Sequence, residues 1–147
     1  MTATLTDQAH AKAVAALTAS YAGIAEGTPV RLAKRTSNLF RPRAGQVAGL
    51  DVAGLDGVLS VDPVARTADV QGMCTYERLV QECLRHGLMP KVVPQLKTIT
   101  LGGAVTGLGI ESTSFRNGLP HESVLEMDVL TGDGRLLTVS PSQHPDL

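Results

Sequence analysis

The spacing of hydrophobic and polar residues changes several times along the chain, and each change marks an element. Between 6 and 25, alanines stand at 9, 11, 13, 15, 16, 19 and 22, and alanine favours helix intrinsically. Val14, Leu17 and Tyr21 fall at i, i+3 and i+7. They predict a helix with a narrow apolar stripe, capped by Thr6 or Asp7 and ended by Gly23 or Gly27. Val30 and Leu32 alternate with Arg31, as in a short strand. Strand character returns from 50 to 71. Val58-Leu59-Ser60-Val61, a turn at Asp62-Pro63-Val64-Ala65, and the run from Arg66 to Gln71 predict a hairpin. A second helix is expected from Tyr76 to His86. Thr75 caps it, Leu79, Val80, Cys83 and Leu84 share its apolar face, and Gly87 stops it. Met89 to Pro94 reads as extended. Val124 to Thr131 alternates, with Leu125, Met127 and Val129 on one face and Glu126 and Asp128 on the other. Gly132-Asp133-Gly134 is a turn, Arg135 to Val139 the returning strand, and Ser140-Pro141-Ser142 the expected start of a further capped helix.

One stretch breaks all of these periods. Four glycines, Gly102, Gly103, Gly107 and Gly109, stand among the hydroxyl residues Thr98, Thr100, Thr106, Ser112, Thr113 and Ser114. Glycine admits positive φ and close approach of a ligand to the main chain. Successive free N–H groups form an anion-binding concavity, and hydroxyls add donors. A phosphate or pyrophosphate suits such a cradle; a purely structural glycine turn is the alternative. The third glycine of a GxGxxG fingerprint is missing, since Ser112 takes its place, and no GxxxxGK[ST] occurs. The polar turn Arg35-Thr36-Ser37-Asn38, following Lys34, could close over an anion or be a solvated face.

Composition narrows the classes. The 147 residues suit one domain with a real core, and 43% hydrophobic with 18% charged residues fits a globular chain. A net charge of −1 provides no field to recruit nucleic acid or a membrane surface. Trp is absent and aromatics are scarce, which argues against base-stacking platforms. Cys74 and Cys83 form no CxxC, so a reduced, cytoplasmic setting is expected. The N-terminus shows no basic start followed by an apolar run, and no signal peptide is expected. His10, His86, His121 and His144 are scattered; no catalytic or metal-binding constellation emerges.

From Arg31 to Leu147 the sequence resembles an FAD-binding domain of the vanillyl-alcohol oxidase and p-cresol methylhydroxylase type. Within it, the delta(24)-sterol reductase (24-dehydrocholesterol reductase)-like branch is the most similar. Val93-Pro94-Gln95-Leu96, Thr100-Leu101-Gly102-Gly103, Gly107-Leu108-Gly109-Ile110-Glu111-Ser112-Thr113-Ser114 and Asn117-Gly118-Leu119 carry the resemblance in order. Glu126 to Gly134, Ser140-Pro141-Ser142 and Pro145-Asp146-Leu147 continue it.

The resemblance implies an α+β fold of two small α/β subdomains with FAD extended between them. It divides the chain into a helical segment, 1–27, and an FAD-binding domain, 28–147, whose second subdomain is expected to be incomplete. Thr100, Leu101, Gly102, Gly103, Ala104, Val105, Thr106, Gly107, Leu108, Gly109, Ile110, Glu111, Ser112 and Thr113 are implied along the pyrophosphate and ribityl chain. Lys34, Arg35, Thr36, Ser37 and Asn38 match the earlier loop. That loop lacks the histidine of Arg-Gly-Gly-Gly-His, so FAD is expected to bind non-covalently. A flavin-dependent oxidoreductase is implied, with the substrate domain and hence the small-molecule substrate belonging to the full-length protein. The isolated chain is expected to be catalytically incomplete and to self-associate. A non-catalytic nucleotide-binding or partner module is the alternative, and a structural domain with an empty glycine turn a third.

Overall fold

The structure, a computed structural model, describes residues 7–34 and 48–147. The elements in chain order are α1 (Asp7–Ala22), β1 (Val30–Leu32), β2 (Ala48–Leu50), β3 (Val58–Asp62), β4 (Thr67–Val70), α2 (Tyr76–Leu84), α3 (Leu101–Thr106), α4 (Ser114–Asn117), a 3-10 turn (Pro120–Ser123), β5 (Met127–Leu130) and β6 (Leu136–Val139). Mixed helix and strand is the α+β character expected from the sequence.

Among the described residues the strands form three two-stranded sheets: β1 parallel to β2, β3 antiparallel to β4, and β5 antiparallel to β6. The β3–β4 hairpin falls where the turn residues put it, with the Asp62 carboxylate accepting from the amides of Val64 and Ala65. Its register shifts between Val58 and Ser60. Val58 and Val61 are three residues apart, an odd spacing that an unbroken strand would send to opposite faces. The irregularity lets both pack on the core.

That core is Val58, Cys74, Tyr76, Leu79, Cys83 and Ala104, flanked by Val61, Val70, Leu88, Val93, Ile99 and Leu101. It joins the hairpin to α2 and to the start of α3. Thr75 caps α2 as expected, accepting from the Arg78 amide, and Gly87 takes φ +69° beyond its end. Leu84, assigned to the apolar face, is the last residue of α2 and is exposed.

Three expectations are corrected. The glycine stretch is not an open turn at its start: Leu101–Thr106 is helical. Ser140–Leu147 forms no helix; Ser140 and Gln143 close a bridged turn instead. The alternation from Val124 to Thr131 yields a strand only over Met127–Leu130, and Leu125 is 69% exposed. The 3-10 turn ending at Ser123 leads directly into that segment and leaves Val124 to Glu126 without strand partners in β6.

The N-terminal helix buries Ala13 rather than its Val14–Leu17–Tyr21 stripe, which stays half-exposed. Ala13 packs where Gly54 has no side chain; a Cβ at Gly54 would lie 3.3 Å from the Ala13 methyl.

Candidate functional site

Two segments far apart in sequence meet at one opening. After β1 the chain is held by the Ala33 amide donating to Leu50 O, and the Lys34 amide donates to Leu32 O. This brings Lys34 Nζ to 3.2 Å from Thr100 Oγ1, to which it donates. The opening beside this contact has a volume of ≈ 290 Å³. Lys34, Thr75, Thr98 and Thr100 line it on one side, and Val52, Ala53 and Gly54 on another. Burial lowers the Lys34 pKa from the ordinary lysine value. Asp56 also lines the opening, with its carboxylate 3.3 Å from Arg78.

The hydroxyls have a defined polarity. Thr100 Oγ1 accepts from Lys34 Nζ and from the Gly103 amide at 3.2 Å. Two donors occupy its two lone pairs, and its own O–H remains to be donated. Thr75 Oγ1 likewise accepts from the Arg78 amide. An ammonium and threonine O–H groups around one opening form a donor set that suits an anion.

The main chain of the glycine stretch does not add to that set at its start. Leu101 N donates to Cys74 O and Gly102 N to Gly72 O, both at 2.8 Å; Gly103 N is taken by Thr100 and Ala104 N by Thr100 O. The expected concavity of successive free amides is therefore absent over 101–104. Gly107, Leu108 and Gly109 also donate within the chain, to Gly103 O, Val105 O and Ala104 O. Nor do Gly102, Gly103, Gly107 and Gly109 use positive φ; Leu108 does, at 49°. Gly102 serves close approach instead, since a Cβ there would lie 2.9 Å from Gly72 O.

The remaining expected residues take different places. Ala104 is buried in the core, Val105 is half-buried, and Thr106 donates its hydroxyl to Gly102 O. Leu108 and Ile110 are exposed, as are Ser112 and Thr113. Glu111 staples the loop: its carboxylate accepts from Gln95 N and its amide donates to Ser114 Oγ. Burial, then the Glu111 charge, raises the Tyr76 pKa. Arg35, Thr36, Ser37 and Asn38 lie outside the described residues.

The wall Val52-Ala53-Gly54, with Asp56 and Met73, was not singled out from the sequence. It carries no motif, and only tertiary packing brings it to Lys34. A second groove of ≈ 310 Å³, between α2 and Val93–Lys97, is bordered by the Glu77–Lys97 ion pair, so its cation is already matched. No group of His, Cys, Asp and Glu suited to a metal occurs among the described residues.

Residues 6–140 match the family described as FAD binding domain. Similar proteins include Cytokinin dehydrogenase 8 of Oryza sativa subsp. indica, 34% identical over 80 residues, covering 54% of this chain and 15% of that protein. Cytokinin dehydrogenase 6 of Oryza sativa subsp. japonica is 37% identical over 79 residues, 54% of this chain and 15% of the relative. Cytokinin dehydrogenase 2 of the same subspecies is 34% identical over 89 residues, 60% and 16% of the two chains. The aligned region is thus a small part of each relative.

Proposed function

Because the chain belongs to the FAD binding domain family, we propose that it is the FAD-holding part of a flavin-dependent oxidoreductase and binds the cofactor at the Lys34–Thr100 opening. The observation that carries the placement is the Lys34–Thr100 contact, which joins two segments of opposite chain halves around one set of donors. The donor set fits the anionic centre of FAD. Lys34 supplies the positive charge, and Thr98, Thr100 and Thr75 supply hydroxyls. The amides of 101–104 are engaged within the chain, so side chains carry this contact and the glycines shape the backbone behind it.

When bound, the flavin would supply the redox chemistry, accepting or releasing two electrons as a hydride equivalent. The chain's share is to bind and orient. Lys34 neutralises phosphate charge, and Glu111, by holding Gln95, fixes the exposed loop 107–113 relative to the segment that precedes α3. Loop residues Arg35 to Asn38 belong to the same proposed site on the strength of the sequence. Their lack of a histidine supports non-covalent attachment.

Two observations bear on the finer branch, and they point to different relatives. The ordered run from Gly107 to Ser114 favours the delta(24)-sterol reductase-like branch, and the relatives aligned above are cytokinin dehydrogenases. Both fit a dehydrogenase or reductase acting on an organic small molecule in the full-length protein. The chain spans about 15% of the length of these relatives. We further propose the division at 27/28, an FAD domain of two subdomains, and self-association of the chain when alone, the last motivated by exposed Leu108, Ile110, Phe115 and Leu125.

Titration of the purified chain with FAD, FMN and riboflavin, followed by flavin absorption and fluorescence, tests the assignment. FAD should bind best. Equal affinity for riboflavin and FAD would remove the phosphate anchor.

A further inference from the structure

α1 buries one residue, Ala13, and polar contacts also fasten it. Ser20 Oγ accepts from the Asp51 amide at 2.9 Å, Tyr21 OH donates to Gly132 O, and His10 Nδ1 lies 2.9 Å from Gln71 Nε2. The last contact dictates a protonation state. Gln71 is 4% exposed, and the Gly57 amide donates to its side chain at 2.8 Å. A backbone N–H can only donate, so the Gln71 atom facing Gly57 is the amide oxygen. The NH2 group then faces His10 and must donate to it. His10 Nδ1 is therefore bare, and its ring proton sits on Nε2. Flipping the Gln71 amide offers no relief, because that sets NH2 against the buried Gly57 N–H.

We propose that His10 is a pH-sensitive latch for α1: protonation of Nδ1 opposes two donors and releases the helix from Gln71. Among the described residues, the charged groups on the elements around it are Asp7 and Lys12 on α1, Asp51 and Asp56 on the segment α1 covers, and Asp69 on β4. Asp56 is tied to Arg78 and Asp51 accepts from the Ala53 amide. These carboxylates are exposed, and their pull on an imidazolium is screened over about 10 Å at 0.1 M salt. They do not restore the lost acceptor. Val52, Ala53 and Gly54, next to the Ser20 and Ala13 contacts, also wall the Lys34–Thr100 opening. Release of α1 therefore loosens that wall, a consequence that alone rests on the FAD reading.

Amide hydrogen exchange of 7–22 in the 147-residue chain, corrected for intrinsic rates, tests the latch across the imidazole range, roughly pH 5 to 8. The wild type should lose protection about tenfold at the acidic end. His10→Asn places an amide oxygen near the Nδ1 position and should hold protection constant. Equal protection of the wild type at both ends, or the same loss in His10→Asn, overturns the proposal. Nitrogen chemical shifts of His10 in the wild type at pH 8 decide the matter even if the variant fails to fold: the Nε2–H tautomer supports the latch and the Nδ1–H tautomer overturns it. FAD affinity that falls with pH in the wild type and not in His10→Asn supports the link to the wall. Affinity equal at both ends overturns that link, and the exchange result stands apart from it.

Discussion

Thr75 and Thr100 face each other across an isolated antiparallel bridge, and each caps the helix that follows it. Around this pair the two helix starts satisfy one another. Tyr76 N and Glu77 N, at the start of α2, donate to Ile99 O and Lys97 O. Leu101 N and Gly102 N, at the start of α3, donate to Cys74 O and Gly72 O. Helix starts leave amides without intrahelical partners. Here the segment leading into each helix supplies acceptors for the other.

Removing one cap should be felt as a lost hydrogen bond at a crowded junction. Thr100→Val keeps the branched shape and removes Oγ1, and the expected cost is about 1 kcal/mol. Thr75→Val should cost a similar amount, about 1 kcal/mol, and the double variant should depart from additivity because the residues are in contact. Urea unfolding of the four proteins in this cycle checks both statements.

Gly102 and Gly103 should respond differently to a methyl group. A Cβ at Gly102 would lie 2.9 Å from the Gly72 carbonyl oxygen, which is backbone and fixed by its own hydrogen bond with Gly102 N. At Gly103 the close atom is Thr100 Oγ1, also at 2.9 Å, and a hydroxyl can turn away. Gly102→Ala should destabilise the chain by about 2 kcal/mol. Gly103→Ala should cost less, with its loss confined to the Thr100 cap. Thermal denaturation ranks the two; the opposite order would refute the role given to Gly102.

The contrast shows what the sequence made visible. The β3–β4 hairpin, the Thr75 cap and the buried Cys83 follow from turn chemistry and local periodicity, which act over a few residues. The glycines of 102–109 were legible as a special backbone and misread as to why. Glycine serves positive φ and close approach alike, and for Gly102 the close approach is to Gly72, thirty positions away. The same holds for the site. Lys34 and Thr100 were both expected at the cofactor, whereas the wall at Val52–Gly54 carries no motif and meets Lys34 only in the tertiary structure.

Lys34→Met separates cofactor binding from stability. The variant keeps most of the stem and removes the charge, so FAD should bind about tenfold more weakly, equivalent to ~1.4 kcal/mol. Stability should not fall. Burial lowers the Lys34 pKa, so the folded state disfavours the ammonium. That cost is present at low pH and relieved as pH rises through the lowered value. A chain with methionine at this position lacks the cost altogether. FAD titration and thermal denaturation at neutral pH, run on the same samples, distinguish the two effects.

Cys74 should be silent towards thiol reagents in the folded chain. It is fully buried in the core, and burial, opposed by the Arg78 charge, pushes its pKa up to about 11. Only the thiolate is an effective nucleophile, and an ordinary cysteine ionises near pH 8.5. At pH 8 Cys74 is therefore both inaccessible and protonated, and its Sγ–H donates to Thr75 O at 3.5 Å. Because the folded value is the higher one, the folded state holds this proton more tightly than the unfolded state does. The resulting stability is fully present below the unfolded value and is lost as pH rises towards 11. A disulfide reagent at pH 8 should react with Cys74 at the rate of unfolding, and with guanidinium present the reaction should be immediate. In Cys74→Ala the alkaline fall in stability between about pH 8.5 and 11 should be reduced. Rapid labelling of Cys74 in the native chain at pH 8 would show that the α2–α3 junction opens without global unfolding.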